Sequence, residues 1–517
     1  MNRTARLALN TASNQARMVV SLAVLAVLTP YIIKKIGTED FGLWSLVINA
    51  LGFLALLDMG FGTGVIKYVA ECRATGDIEQ RNRVLSTLGA VYLAVTVVAC
   101  ICLALLAIFF DRIFEVPPNA RQKASTLLWI LAIRFVILAL PLSLFRNALY
   151  GEQKNYLLNI IQTVTTLAYS LGTWIALRRG LGVVAMAWVN LAAMLLEYLA
   201  YIWFAYATMD GLKLSARLID KRFLKEAASF SSAQLLVNVA ALILLRTDPL
   251  IVSVFFSLSA VAVYSIALKV AEQVYLLVKQ FTNLLGPLAA QLKVSTDEIK
   301  IRFLFVNCAK YAMAPLVMLT VADYFFGGET LGFWLGPEFA PGGTILLVLL
   351  ISMSFSMAEL TASAVLSMTG HHRVIAKAAA AKAILNLGLS VLLAWWIGMI
   401  GVALGTLAAT VLIDMFVTVR MACVIHHVTY ASYFVRVFLP ALLPAAAQFA
   451  LTLALKQWLP PANLVWIVIL TIPGAVLYLL LFWFFSIERS EKELLISKIF
   501  RRRRIATVAN RRIEEVP

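Results

Sequence analysis

The residues with the most chemistry in this chain are charges placed where charge is costly. Seven cations, Lys67, Arg134, Arg246, Lys269, Lys279, Lys310 and Lys382, fall inside long apolar runs. The acids Asp58, Glu197, Asp248, Glu272, Glu359 and Asp414 do the same. A lysine or arginine at the centre of a lipid-facing helix costs roughly 2.5–3.5 kcal/mol on insertion scales. Lys67, Lys310 and Lys382 stand near the ends of their runs and can snorkel to the headgroups. Arg134, Arg246, Lys269 and Lys279 stand closer to mid-depth. Four such residues favour a water-filled cavity over four separate accidents.

Spacing sharpens this reading in three places. Lys269, Glu272 and Lys279 are three and seven residues apart, so they share one helical face. That polar stripe serves either as an ion-pair ladder or as a cation-lined substrate path. In "LLRTDPLIV", Arg246 and Asp248 are two apart and point to different faces. Pro249 follows and removes a backbone donor, which suggests a kink, a hinge or an ion site. In "LLDMGFGTGVIKYVAE", Asp58 and Lys67 are nine apart and lie on opposite faces of one continuous helix, so neither neutralises the other. Gly60 and Gly64 give that helix a smooth face for close packing. Intramembrane carboxylates of this kind carry a coupling proton or sodium ion, or they make interhelical hydrogen bonds.

Bond-making chemistry finds no foothold. There is no GxxxxGK[ST] loop, no serine–histidine–aspartate set and no metal-ligand spacing. The pairs His371–His372 and His426–His427 lack carboxylate or cysteine partners. The five cysteines are scattered without a CxxC pair and read as small buried hydrophobes. We therefore expect no enzyme, no catalytic residue, no metal and no cofactor.

The elements that must position these charges are membrane spans. Of 517 residues, 62% are hydrophobic and only 14% charged, with a mean hydropathy of +0.88. An all-α integral membrane protein with about 14 spans follows. Their expected limits are 10–33, 41–70, 84–110, 124–149, 155–177, 182–207, 228–256, 259–292, 303–326, 342–368, 373–397, 400–424, 433–457 and 463–486. The first run has no small-x-small cleavage site and reads as a retained helix. With the amino end in the cytoplasm, roughly 29 Lys/Arg fall on the cytoplasmic side and about eight outside, so both termini are expected inside. The net charge of +17 is thus a topology signal, and no nucleic-acid partner is expected. The "RRRR" run at 501–504 reads as an anchor on anionic lipid.

An internal repeat organises the spans. "DFGLWSLV" pairs with "AVAVYSIA", "YGEQKN" with "TGHHRV" and "GVVAMA" with "GVALGT", all at offsets of about 220 residues. Two pseudo-symmetric six-helix bundles are expected, at 1–210 and 228–430. A basic linker at 211–227 joins them, two additional helices fill 431–486, and a basic tail runs over 487–517.

Particular motifs carry a resemblance. "IGTEDFGLWSLV" with "LLDMGFGTGVIKYVAE", then "LLRTDPLIVSVFFSLSAVAVYSIALKVAEQV", resemble the polysaccharide transporter family. These are the O-antigen-type flippases of the multidrug/oligosaccharidyl-lipid/polysaccharide superfamily. Gly37, Phe41, Gly42, Trp44, Leu57, Asp58 and Gly60 match the opening pattern, and Asp248, Tyr264 and Ser265 the second half. The resemblance covers about residues 5–430. It implies two lobes around an alternating cavity and export of a polyprenyl-diphosphate-linked oligosaccharide across the cytoplasmic membrane. Lipopolysaccharide or exopolysaccharide biosynthesis is the implied setting. The implied partners are that substrate, membrane lipids, H+ or Na+, a polysaccharide polymerase and glycosyltransferases. On this reading Arg134, Arg246, Lys269, Lys279 and Lys67 bind the diphosphate or acidic sugars, and Asp58, Asp248 and Glu272 position them or carry the coupling ion. The rival readings are a cation-coupled multidrug exporter of the same superfamily and a membrane glycan polymerase or ligase. The excess of central cations opposes the first, and the short outer loops without histidine oppose the second.

Overall fold

The apolar runs fold into helices throughout the residues described in this computed structural model, which are 3–54, 60–114, 116–283, 298–487 and 492. The first half comprises α1 (Arg3–Ile36), α2 (Thr38–Gly52), α3 (Phe61–Thr75), α4 (Ile78–Ile113), α5 (Arg121–Ala132), α6 (Leu140–Gly151), α7 (Asn155–Arg178) and α8 (Gly182–Thr208). The second half comprises α9 (Lys221–Phe255), α10 (Leu258–Asn283), α11 (Glu298–Leu335), α12 (Gly342–Met368), α13 (His372–Ile397), α14 (Met399–Thr410) and α15 (Arg420–Ile425). Then come α16 (Tyr430–Val437), α17 (Leu439–Trp458) and α18 (Leu464–Leu481). Among the described residues, 11 helices are long and apolar enough to cross a membrane, or 12 with the bent pair Arg121–Val136 and Pro141–Gly151.

Two further expected spans are 41–70 and 228–256. The region 41–70 is two helices rather than one. Gly60 takes a left-handed φ of 76° and starts α3 there, a conformation that favours glycine. The nine-residue geometry between Asp58 and Lys67 therefore does not apply, and Asp58 itself lies outside the described residues. The other, 228–256, lies within α9, a single helix of 35 residues that is mostly apolar from Leu236 onward. Three spans also contain π-helical stretches among the described residues: Ile133–Ala139 and Val411–Val419, which carry Arg134 and Asp414, and Phe482–Ser486. A π segment inserts an extra residue per turn and re-aims its side chains, a device common at functional positions.

Successive spans alternate in direction and define two faces. The near face holds the start of α1, the α3–α4 turn and the segment from α8 to α9. The far face holds the α1–α2, α7–α8 and α9–α10 turns. At the far face one apolar core joins both halves, from Ile32, Leu43 and Leu46 through Leu131 to Val261, Tyr264, Leu349 and Val402. Gly42 makes the tightest contact there. A Cβ on it would stand 1.8 Å from the Leu258 carbonyl oxygen, so only glycine lets α2 meet α10 this closely. Polar bonds support this closure: Lys123 pairs with Asp40 at 2.7 Å, and the Trp334 indole donates to the Ala26 carbonyl at 2.8 Å.

At the near face the two halves form separate cores, the first of which also takes Phe223 from the start of α9. One core gathers Phe61, Tyr68, Leu85, Tyr92, Leu149 and Tyr201. The other gathers Phe305, Met313, Leu366, Met415 and Tyr433 with Tyr478 and Phe482 of the last helix. Lys310 donates to the Ser486 carbonyl at 3.1 Å and ties the π-helical end of the last span, Phe482–Ser486, to α11. The segment from α8 to α9 is fastened to α4. Arg81 donates to the Asp210 carbonyl at 2.6 Å, Asn82 to the Gly211 carbonyl at 2.7 Å, and the Asp220 amide to the Thr87 hydroxyl at 2.9 Å.

A candidate substrate cavity between the halves

Below the far-face closure lies a cavity of about 440 Å³. It takes Ser21, Leu25 and Thr29 from α1, Trp44, Ser45 and Asn49 from α2, and Thr166 and Tyr169 from α7. The second half supplies Arg246 and Pro249 from α9, with Ser265, Lys269, Glu272 and Gln273 from α10. Both halves therefore build one site, which the shared apolar core holds together from above.

Three of the expected charges meet here. Arg246 donates to the Asn49 side-chain oxygen at 3.2 Å. Its aliphatic stem passes over Gly52, where an added Cβ would stand 3.6 Å away. Lys269 is exposed to the cavity. Glu272 attracts both Lys269 and Arg246, while the two cations repel each other. Two positive groups around one carboxylate leave a net positive charge. The Ser265 hydroxyl is also part of the lining and is buried without a hydrogen-bond partner among the described residues. Such a wall can hold an anion through charge-assisted hydrogen bonds.

Asp248 turns away from the cavity into a polar network of the second half. Only 1% of it is exposed. Its Oδ2 accepts from the Tyr264 hydroxyl at 2.7 Å and from the Thr406 hydroxyl at 2.9 Å. Thr406 in turn accepts from the Asn386 amide at 2.8 Å. Asp248 Oδ1 and Asn386 Oδ1 are buried with no hydrogen-bond partner among the described residues. Unmatched oxygens in a dry interior are costly, and both can accept a further hydrogen bond.

The other expected site residues lie elsewhere. Arg134 stacks on Phe135, 4.7 Å from the ring centroid, within electrostatic reach of Glu197 and Tyr169. It thus stands behind the cavity wall that Tyr169 forms. Glu197 accepts from the Tyr201 hydroxyl at 2.6 Å and the Thr165 hydroxyl at 3.2 Å. Lys67 is half-exposed near Glu71, at 4.0 Å, and lies over the Tyr68 ring. Lys279 lies beyond the cavity lining, over Tyr275 and within reach of Glu359. Lys382 forms a buried pair with Asp414 at 2.6 Å. Asn49, Tyr169, Asn386 and Thr406 escape a search for charges. Their signal is subtler, a hydrogen-bonding side chain inside an apolar run.

Comparison with known proteins agrees with this architecture. Residues 10–290 match the family described as "Polysaccharide biosynthesis protein". The chain is 22% identical over 361 residues to the membrane protein EpsK of Bacillus subtilis (strain 168), covering 67% of this chain and 70% of that one. It is 20% identical over 331 residues to a Salmonella typhi protein named as an O-antigen transporter, covering 61% and 73%. Among solved structures, the lipid II flippase MurJ in an inward closed conformation superposes with a TM-score of 0.70 at 15% identity, over 95% of this chain and 99% of that one. An inward-facing multidrug resistance transporter of the MATE family gives 0.64 at 14% identity, over 79% and 98%.

Proposed function

The chain belongs to the polysaccharide biosynthesis protein family, polysaccharide transporters of the multidrug/oligosaccharidyl-lipid/polysaccharide superfamily, and from that premise we propose that it flips a polyprenyl-diphosphate-linked oligosaccharide across the cytoplasmic membrane. One observation carries this reading: Arg246 and Lys269 stand with a single carboxylate, Glu272, in a cavity built by both halves. A diphosphate crossing apolar surroundings needs such cations, and the arginine fork suits its oxygens. A site for cationic drugs would need the opposite balance. The near face is cytoplasmic in this reading, both termini are inside, and the cavity fills from there. The lobes 1–210 and 228–430, joined by 211–227, rock about the shared far-face core. The helices at 431–486 flank the second lobe, and the basic tail beyond Ile487, Lys492 apart, lies outside the described residues. Lys67 meets the headgroup at the near face, and Arg134 braces Tyr169 in the wall. Lys279 carries charge on toward Glu359.

Replacing Arg246 and Lys269 together by alanine is expected to abolish surface glycan while the protein stays at its normal level. Normal glycan in that strain would overturn the assignment. Asp248 is the coupling residue of the same reading, because its free oxygen and that of Asn386 can hold a proton or Na+. In vesicles, Asp248→Asn should leave transport insensitive to imposed H+ or Na+ gradients. Retained gradient dependence would remove Asp248 from that role.

A further inference from the structure

A second group of cations stands at the near face, far from the cavity. Arg83 of α4, with Arg217, Lys221 and Arg222 of the segment entering α9, lines a surface pocket of about 480 Å³. None of these residues lines the central cavity. The one carboxylate in the pocket is Asp220. Its oxygen accepts from the Arg222 amide at 2.8 Å and the Phe223 amide at 3.2 Å, so it caps α9. Those backbone donors hold Asp220 below the usual carboxylate range, and it stays ionised. It answers the helix amides first and the Arg83 and Arg222 side chains only secondarily. Arg83 has a partner in Glu79 at 3.1 Å, whereas Arg217, Lys221 and Arg222 extend into solvent.

The pocket is held in place from beneath. Ser86 and Thr87 accept from the Ser215 and Asp220 amides at 3.1 and 2.9 Å, and Phe223 meets the Tyr68 ring edge-on at 4.8 Å. The cations therefore sit on a fixed platform, and docking orders little new chain. Their surroundings identify the partner. The membrane-spanning helix α4 begins at Ile78, six residues before its apolar part, and the helix α8 ends at Thr208. Ile219 in the pocket lining is 41% exposed, and Ile78 at the start of α4 is 46% exposed. Trp203 and Tyr206 are exposed in the last turns of α8, as interfacial aromatics are. Cations flanked by exposed aliphatic side chains at the end of two spans match the boundary between headgroup and acyl chain.

We propose that this basic pocket is a docking site for the phosphate headgroup of an anionic membrane lipid, which holds the α8–α9 segment and the first turn of α9 to the bilayer. Arg83, Arg217, Lys221 and Arg222 take the phosphate, and Ile78 and Ile219 lie against the acyl chains. The site is independent of the substrate cavity.

The test titrates short-chain phosphatidylglycerol onto the full-length protein in zwitterionic detergent. Arg217→Gln with Arg222→Gln, both exposed, should weaken binding roughly 30-fold, from about a fivefold loss per cation near a surface. Arg217→Lys with Arg222→Lys should restore most of it. Short-chain phosphatidylcholine should bind far more weakly, and inorganic phosphate should fail to displace the lipid at equal concentration. Arg246→Ala with Lys269→Ala should leave this binding unchanged, so the outcome is separate from that of the flippase reading. Wild-type affinity in the glutamine variant would overturn the proposal. Equal binding of phosphatidylcholine, or displacement by phosphate alone, would overturn it as well, in favour of a greasy surface or a free-anion site.

Discussion

Two polar regions of the interior use the same residue types to opposite ends. In the second half, Lys382 and Asp414 bond at 2.6 Å, with side chains only 13% and 3% exposed. Ser356 adds a 3.4 Å bond to Asp414. That lysine is neutralised from within the fold. In the cavity, Lys269 faces open space, and Arg246 has one neutral side-chain partner, Asn49. Glu272 is shared between them. A charge completed by its neighbours belongs to the structure. A charge left under-matched, where an external group can reach it, is available for binding.

The largest expected effect tests the completed pair. Lys382→Ala strands the Asp414 carboxylate in an apolar interior and should cost about 3–5 kcal/mol, seen as a drop in thermal midpoint in detergent. Lys382→Met with Asp414→Leu removes both charges and should recover most of that loss. Lys269→Ala should change stability by about 0.5 kcal/mol or less, because no buried partner is stranded. Equal losses for Lys269→Ala and Lys382→Ala would erase the distinction between the two regions.

The distinction was only partly readable from the chain. Apolar length reveals the spans, and a three-residue step places Lys269 and Glu272 on one face. Contacts across the fold have no such periodicity. Asn49 and Arg246 are 197 residues apart, and Thr406 and Asp248 are 158 apart. The stripe reading also carries Lys279 along with Glu272. A helix face continues after a cavity ends, and here the lining stops at Gln273. The break between α2 and α3 is hidden for another reason. Hydropathy stays high across 53–60, and only the left-handed Gly60 marks the interruption. Asp58, on which the reading of that stretch depends, falls within the undescribed residues 55–59.

A smaller effect is expected where the cavity cations meet their neutral support. Asn49 accepts from Arg246 and donates to the Ser45 carbonyl at 2.8 Å, so its side chain is fixed from both ends. Asn49→Ala frees the guanidinium without removing its charge. Losing one hydrogen bond to a charged group is worth about 1.5 kcal/mol or more, near tenfold in transport rate if Arg246 must be held in place. Surface glycan measured against protein level reads this out. Unchanged export would mean that the substrate itself orients Arg246, and the cavity would then be less preorganised than its geometry implies.

The smallest effect concerns the space beneath Arg246. An alanine Cβ at Gly52 would stand 3.6 Å from Arg246 Cδ and Nε, an ordinary van der Waals contact. Gly52→Ala should therefore alter stability by less than about 1 kcal/mol, with the better helix propensity of alanine in its favour. Export should stay near normal. A leucine there would fill the space occupied by the arginine stem and displace the guanidinium from Asn49. The alanine variant is the more informative of the two. If it folds normally yet exports poorly, the stem must sweep across Gly52 during the cycle. Arg246 would then be a moving part of the cavity wall, and the under-matched charge would owe its freedom to motion as well as to its lack of partners.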